Sequence, residues 1–146
     1  MPSYQTLDAI ADAYLPVLGS AVLLLIVKAL LHKAWQQAAG LAVIVAGGLL
    51  IAYGLMFLDQ TYLLWQRIGL DYSTHTAVAL VLVSAWAVYS QSWRLIGPLS
   101  LVLYCVLMLF QHYHTFIDIF TTAAIVGLLD FPIIRYTVRT LHPPRA

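Results

Sequence analysis

Two short histidine-containing segments hold the residues of this chain that are best suited to chemistry. The first runs from Asp71 to Thr76 and reads Asp-Tyr-Ser-Thr-His-Thr, and the second reads His-Tyr-His-Thr-Phe-Ile-Asp over 112–118. His114 and Asp118 are four positions apart, which on a helix puts both on one face, with Asp118 about 6 Å further along the axis. A carboxylate there orients one imidazole nitrogen and leaves the other basic. The spacing therefore predicts a nucleophile or general base, His114, that Asp118 orients.

The first segment offers the complementary half of such a site. His75 can supply the acid that protonates a leaving group. The free N–H groups of a first helical turn, together with nearby hydroxyl groups, attract an anion such as phosphate. We therefore expect the hydroxyl residues Ser73, Thr74 and Thr76 to bind substrate, together with Asp71 and the nearest upstream cation, Arg67.

The composition predicts that these segments belong to an integral membrane protein. Of the 146 residues, 62% are hydrophobic and 9% are charged, whereas soluble domains carry about 25% charged residues. A surface with so few charges is suited to lipid. With a net charge of +1, the chain has no excess of basic residues that would bind nucleic acid. Because Cys105 is the single cysteine, an internal disulfide is excluded.

Apolar runs divide the chain into five predicted membrane spans within a single transmembrane domain, 1–146. The runs approach the roughly 20 residues that a helix needs to cross the hydrocarbon core. The predicted spans are 13–31, 38–58, 74–89, 95–110 and 114–134. Because no alternating strand pattern is present, and only helices and closed barrels span lipid, the expected fold is an all-α helical bundle.

Local patterns add expectations about packing. The second span contains four glycines at Gly40, Gly47, Gly48 and Gly54. Such small residues predict close approach between helices. The mixed segment at 59–72 predicts a short interfacial or re-entrant stretch with its Tyr and Trp at headgroup level. Ser73 or Thr74 is the expected N-cap of the third span, and Asp130 is expected to make a structural polar contact with Arg135 rather than to relay protons.

The basic residues predict which way the bundle faces. With five spans the loops alternate between the two membrane sides, and one side receives six basic residues, Lys28, Lys33, Arg94, Arg135, Arg139 and Arg145. The other side receives only Arg67. Basic loops stay in the cytoplasm, so the C-terminus is expected inside and the N-terminus outside. His75 and His114 should then share the outer boundary of the membrane.

The two histidine segments resemble motifs of the type 2 phosphatidic acid phosphatase superfamily. Ser-Thr-His-Thr at 73–76 is similar to the Ser-Gly-His motif of that family, and His-Thr-Phe-Ile-Asp at 114–118 is similar to its closing His-x-x-x-Asp motif. The stretch 71–76 also resembles the sphingomyelin synthase branch. The resemblance covers about residues 40–130, and the order of the motifs and the helical hairpin between them agree with it.

This resemblance implies a lipid phosphatase or phosphotransferase that needs neither metal nor cofactor. It implies that His114 attacks phosphorus to form a phosphohistidine, that Asp118 orients His114, and that His75 protonates the leaving alcohol. Water or a second lipid alcohol then releases the intermediate. The expected partners are a lipid phosphate substrate and membrane lipids, and the expected location is a bacterial inner membrane with the site facing the periplasm.

The chain departs from the family chiefly in its cations. The family's upstream Lys and Arg-Pro pair are missing, and its Arg six positions before the nucleophile falls at Met108 here. Tyr72 and Thr74 replace the usual Pro and Gly around His75. Each charge-assisted phosphate contact contributes about 1.5–3 kcal/mol. Two alternatives therefore stay open: a divergent enzyme that relies on Arg67, and a non-catalytic member that binds a lipid or a membrane partner, including a second copy of the chain.

A metal site built from the histidines is a further alternative. His75, His112, His114 and Asp118 are residue types that bind metals. On a continuous helix, however, His112 and His114 diverge by about 200°. They converge only in a non-helical turn, so no metal ligands are predicted.

Overall fold

The computed structural model describes residues 4–141, and these residues form a helical bundle. A short 3₁₀ turn, Gln66–Ile68, lies between the second and third helices. No β-strand occurs in the described range, so the predicted all-α fold is confirmed. The five helices are α1 (Tyr4–Leu31), α2 (Trp35–Tyr62), α3 (Thr74–Tyr89), α4 (Trp93–Phe110) and α5 (Phe116–Leu141).

Four of these helices, α1, α2, α4 and α5, are long and apolar enough to cross a membrane. Their outward faces carry large exposed hydrophobic side chains, such as Leu24 on α1, Leu50 on α2, Leu95 on α4 and Leu128 on α5. Exposing such a surface to water is unfavourable, whereas lipid tails solvate it. The chain is therefore an integral membrane protein.

The helix α3 is the shortest and occupies the centre of the bundle. It packs against each of the other four helices, and eight of its residues are buried, among them Ala77, Val81 and Ala85. A helix that is surrounded by protein needs no polar stripe, which explains its almost entirely apolar sequence. With 16 residues it is about 24 Å long, which is shorter than the hydrocarbon core of about 30 Å.

The helix α3 has the bounds of its predicted span, 74–89, and the other four helices are longer than predicted. α1 begins at Tyr4 rather than 13, α2 continues to Tyr62 rather than 58, and α5 continues to Leu141 rather than 134. Hydropathy locates only the lipid-facing part of a helix, while backbone hydrogen bonds continue into its polar ends. In the opposite sense, α5 begins only at Phe116, so His114 lies in the preceding turn.

The helix α2 approaches its neighbours very closely at Gly48. A β-carbon on Gly48 would lie 2.5 Å from a methyl group of Val81 on α3. Gly40 and Gly47 face side chains of α5 at similarly short distances, whereas Gly54 faces open space. The predicted packing role is therefore confirmed for three of the four glycines.

The connection between α2 and α3 folds back against the bundle. The left-handed conformation of Leu63 (φ 55°) turns the chain, and Oδ1 of Asp59 accepts a hydrogen bond from the backbone N–H of Trp65 at 2.7 Å. The indole N–H of Trp65 donates to Oγ1 of Thr121 at 3.2 Å, and its ring packs edge-on against Tyr72. Because Trp65 is only 4% exposed, its ring contacts protein rather than lipid headgroups, and the predicted headgroup level of this segment stays a prediction.

Asp130 lies inside the bundle on α5 and is only 1% exposed. Neither of its carboxylate oxygens has a hydrogen-bond partner in residues 4–141. The predicted contact with Arg135 is wrong, since residues five positions apart on a helix diverge by about 140°. Arg135 is accordingly exposed.

The basic residues and the histidine segments occupy opposite ends of the bundle. Lys33 lines a cavity together with Tyr89 and Leu141, the last residues of α3 and α5. Arg94 lines another cavity with residues from the end of α3 and of α5. Arg145, which the charge count also places on this side, lies outside the described residues. That this end faces the cytoplasm remains a prediction from the charge distribution.

Candidate functional site

His75 and His114 line a single cavity at the end of the bundle opposite the basic residues. Its volume is about 180 Å³. The walls come from α1, α3, α4 and the α4–α5 turn, and the other lining residues are Ala11, Asp12, Tyr104, Met108 and Tyr113. The prediction that His75 and His114 lie at the same end of the protein is therefore confirmed.

The α4–α5 turn brings His114 to this cavity. His112 adopts a left-handed conformation (φ 59°) just after α4, and the N–H of Tyr113 donates to the carbonyl of Met108 at 3.1 Å. This bond is typical of a Schellman motif, which ends a helix and reverses the chain. His112 itself is exposed and lies outside the cavity lining. Within residues 4–141, no three His, Cys, Asp or Glu residues are arranged to hold a metal ion.

The N-terminal end of α1 holds the turn in place. Oδ1 of Asp8 accepts hydrogen bonds from Nε2 of Gln111 at 2.5 Å and from the hydroxyl of Tyr113 at 3.0 Å. The Tyr4 hydroxyl donates to the carbonyl of Gln111 at 2.9 Å. The bond to Asp8 raises the pKa of Tyr113, because the carboxylate retains the phenol proton. One helical turn further on, the same helix contributes Asp12 to the cavity.

The side chain of His114 is largely buried, and its Nδ1 faces a carboxylate without forming a hydrogen bond to it. Nδ1 lies 3.3 Å from Oδ2 of Asp71 and is shielded from solvent. Burial lowers the pKa of His114 below its ordinary value of 6.5, the charges of Asp71 and Asp118 oppose this shift, and His75 adds to it. A neutral imidazole at neutral pH is the nucleophilic form. With Nδ1 turned towards Asp71, Nε2 is the nitrogen left for a ligand.

Asp118 caps α5 instead of pairing with His114. Its Oδ2 accepts hydrogen bonds from the N–H and the hydroxyl of Thr115 at 2.8 and 2.6 Å, and its own N–H donates to Oγ1 of Thr115 at 3.3 Å. This reciprocal arrangement is a capping box. The predicted common helical face of His114 and Asp118 is wrong, because His114 precedes the helix and the two form no ion pair among the described residues.

Asp118 nevertheless acts on the site through Asp71. Oδ1 of Asp118 accepts the backbone N–H of Asp71 at 2.8 Å, while the side chain of Asp71 faces His114. The start of α5 therefore positions the carboxylate that contacts the imidazole. The Thr-x-x-Asp pattern at 115–118 is the sequence signal for this cap, and reading it would have placed the helix start correctly.

Two hydroxyl groups among the predicted substrate-binding residues stabilise the fold. Ser73 is the N-cap of α3, as predicted, and accepts a hydrogen bond from the N–H of Thr76 at 3.4 Å. The hydroxyls of Ser73 and Thr76 lie 2.8 Å apart and both residues are fully buried. The N–H of Ser73 donates to Oγ1 of Thr122 on α5 at 3.1 Å. These groups fix the start of α3, and with it His75.

The cavity lining contains no lysine or arginine from the described part of the chain. Arg67 is exposed on the 3₁₀ turn and does not line the cavity, and neither does Thr74. Met108, which stands where the resembled family has an arginine, is part of the lining. Residue 108 therefore lies at the site, but the methionine side chain supplies no positive charge for a phosphate.

Three polar residues of the cavity were not predicted from the sequence, namely Asp12, Tyr104 and Tyr113. In the sequence, Asp12 is only an acidic residue ahead of the first predicted span, 13–31, and it is exposed in the structure. Whether Asp12 reaches the cavity depends on how α1 packs against α4, and no local sequence pattern predicts that packing. Tyr104 and Tyr113 give no signal beyond their type.

Comparisons with known proteins identified no relative of this chain. No family model, no curated protein and no solved structure matches the chain. The resemblance to the type 2 phosphatidic acid phosphatase superfamily therefore stays a prediction that rests on the two histidine motifs.

Proposed function

We propose that the protein is a membrane-embedded lipid phosphatase or phosphotransferase that acts on a phospholipid or isoprenoid phosphate through His114. The single observation that carries this proposal is the cavity shared by His75 and His114, with a carboxylate 3.3 Å from Nδ1 of His114. Two imidazoles in one small cavity provide a nucleophile and an acid for the same phosphorus atom. The basic opposite end supports a site at the outer membrane face, which in a bacterial inner membrane is the periplasmic face.

In the first step Nε2 of His114 attacks phosphorus. A P–N bond forms, the P–O bond to the leaving alcohol breaks, and the proton of the His75 imidazolium passes to that alcohol oxygen. Asp71 stabilises the positive charge that develops on the His114 ring as the bond forms. Asp118 acts as a positioning residue, since it contacts the backbone of Asp71 and not the reacting atoms.

In the second step water or a lipid alcohol attacks the phosphohistidine. His75, now neutral, takes the proton of the attacking hydroxyl, the new P–O bond forms, and the P–N bond breaks. His114 returns to its neutral form and His75 to its protonated form. Water as acceptor makes the protein a phosphatase, and a lipid alcohol makes it a phosphotransferase.

The test is turnover of a panel of purified phospholipids and isoprenoid phosphates in detergent that contains a metal chelator. We expect release of phosphate, headgroup phosphate or lipid alcohol by the wild type and at least a thousandfold loss in His114→Asn, as for a missing nucleophile. His112→Asn is the matched control, because this histidine lies two residues away and outside the cavity. An intermediate that acid hydrolyses and alkali preserves would identify the P–N bond. Full turnover by His114→Asn would refute the mechanism.

A second candidate function is lipid binding without catalysis. The observation that favours it is the absence of a lining lysine or arginine among the described residues, with Arg67 away from the cavity. A phosphate monoester dianion is poorly held without such cations. This alternative predicts lipid binding that survives His75→Ala and His114→Ala, and no turnover of any lipid in the panel.

A further inference from the structure

Asp12 stands at the cavity without a partner of opposite charge. It lines the cavity with His75 and His114, and it forms no hydrogen bond or ion pair with residues 4–141. Its position is well inside α1, which begins at Tyr4. Asp12 is exposed and precedes the first predicted span, 13–31, so its carboxylate is accessible to an ionic group of a ligand in this cavity. The accessible and unpaired carboxylate of Asp12 can therefore bind a cation that a ligand supplies.

Aromatic rings surround the same part of the cavity. Tyr104 is buried and stacks on Tyr14, with ring centroids 4.2 Å apart, which fixes it in the cavity wall. Tyr113 is held by its bond to Asp8. Tyrosine rings attract ammonium groups over their faces, and a nearby carboxylate strengthens that attraction. The residues Asp12, Tyr104 and Tyr113 thus provide the chemistry of an ammonium site.

The two histidines line the same cavity. His75 comes from α3 and His114 from the α4–α5 turn. In the proposed function these residues contact a phosphate. A molecule that occupies the whole cavity therefore needs a negative phosphate and a positive ammonium within a short distance of each other.

The cavity volume limits what can enter. At about 180 Å³ it is smaller than the roughly 300–1,000 Å³ of pockets for drug-sized ligands. A phosphate that is linked to an ammonium group by two carbon atoms is of suitable size, whereas acyl chains are too large. The acyl chains would remain in the lipid beside the exposed apolar helix faces.

We infer that the substrate is a zwitterionic phosphodiester lipid, whose phosphate meets His75 and His114 and whose ammonium group meets Asp12, Tyr104 and Tyr113. This inference rests on the proposed function for the role of the histidines. It explains how a cavity with no lysine or arginine among its described lining residues recognises a phospholipid, because the ligand supplies the cation. It also disfavours phosphate monoesters, because a dianion would face the Asp12 carboxylate without compensation.

The test compares two short-chain lipids that share the phosphodiester and differ in the cation, phosphatidylethanolamine and phosphatidylglycerol. Binding to the purified full-length protein is measured by calorimetry in detergent with chelator, and turnover is recorded separately by product release. The wild type should bind phosphatidylethanolamine about tenfold more tightly, as a partly exposed ion pair and a cation–π contact together provide. In Asp12→Asn the ratio of the two affinities should fall close to one, and Asp12→Glu should restore part of it.

The possible outcomes separate the inference from the proposed function. An affinity ratio that Asp12→Asn abolishes, together with turnover that requires His114, supports both. The same affinity ratio without any turnover supports the ammonium site and refutes the proposed catalysis. Equal affinity of the wild type for the two lipids, or a ratio that Asp12→Asn leaves unchanged in a folded protein, overturns the ammonium site even if phospholipids are turned over.

Discussion

The Nδ1 atom of His114 lies 3.3 Å from Oδ2 of Asp71, although the two residues belong to different connections of the bundle. The side chain of Asp71 is 61% exposed and that of His114 only 11%, so the carboxylate reaches the imidazole from the solvent side. A carboxylate beside Nδ1 favours the tautomer that carries its proton there. Nε2 then keeps its lone pair, which is what nucleophilic attack requires.

Asp71→Asn tests this relationship through the pH dependence of turnover. The charge of Asp71 raises the pKa of His114 against the larger lowering effect of burial. Removing that charge lowers the pKa further, so His114 stays neutral at more acidic pH. We expect the acid limb of the kcat/KM profile to move to lower pH. The maximal kcat should fall by about 10- to 100-fold, because no carboxylate then stabilises the positive charge that develops on the His114 ring.

Asp71→Glu is the matched control for this experiment. It keeps the negative charge near the imidazole, so its acid limb should remain close to that of the wild type even if kcat falls. An acid limb that moves to higher pH in Asp71→Asn would contradict the assigned electrostatic role.

Asp118→Asn should lower stability as well as activity. Asp118 accepts hydrogen bonds from two donors on Thr115 and from the backbone N–H of Asp71. The amide side chain is uncharged, and its NH2 group cannot accept a hydrogen bond. At least one of these three bonds is therefore lost. We expect the free energy of unfolding to fall by about 2–3 kcal/mol, measured as a lower Tm or denaturant midpoint in detergent.

Thr115→Val provides a graded comparison. It removes the hydroxyl of the capping box and leaves the backbone donors, so it should cost about 1 kcal/mol. If Asp118→Asn loses activity at an unchanged Tm, Asp118 acts on the reaction directly, as the family resemblance implies, and the structural role is refuted.

Gly48→Ala tests the close approach between α2 and α3. The added methyl group would lie 2.5 Å and 2.7 Å from the two methyl groups of Val81, so one of the helices must move. Overpacking of this kind costs about 1–3 kcal/mol, and the Tm in detergent should fall accordingly. Gly54→Ala on the same helix is the control, because it meets no atom within 4 Å. It should raise stability by about 0.5–1 kcal/mol through helix propensity, and a fall as large as that of Gly48→Ala would contradict the packing argument.

The helices could be predicted from the sequence because the bilayer demands long apolar segments and permits few alternatives. The same physics brought His75 and His114 to one end of the bundle, since alternate helix ends share a membrane side. The Ser73 cap follows from its short side chain at a helix start. These predictions depend on local sequence, which is why they hold.

The partners within the site could not be predicted in the same way. Asp71 rather than Asp118 faces His114, because the helix start shifted by two residues and the capping box occupied Asp118. Asp12 reaches the cavity only through the packing of α1 against α3 and α4. Such contacts join residues far apart in the chain, and one sequence holds no local signal for them.

Asp130→Asn is expected to leave the protein as stable as the wild type or to stabilise it. Both oxygens of Asp130 are buried without a hydrogen-bond partner in the described bundle, so the amide loses no bond and removes a charge whose burial is costly. Asp59→Asn is the matched control, because Asp59 is also buried but accepts the N–H of Trp65 at 2.7 Å. That variant should lose about 1.5–3 kcal/mol, visible as a lower Tm in detergent. An equal loss of stability in both variants would contradict the absence of a hydrogen-bond partner for Asp130. A loss confined to Asp59→Asn follows from the hydrogen bond that Asp59 accepts and Asp130 lacks.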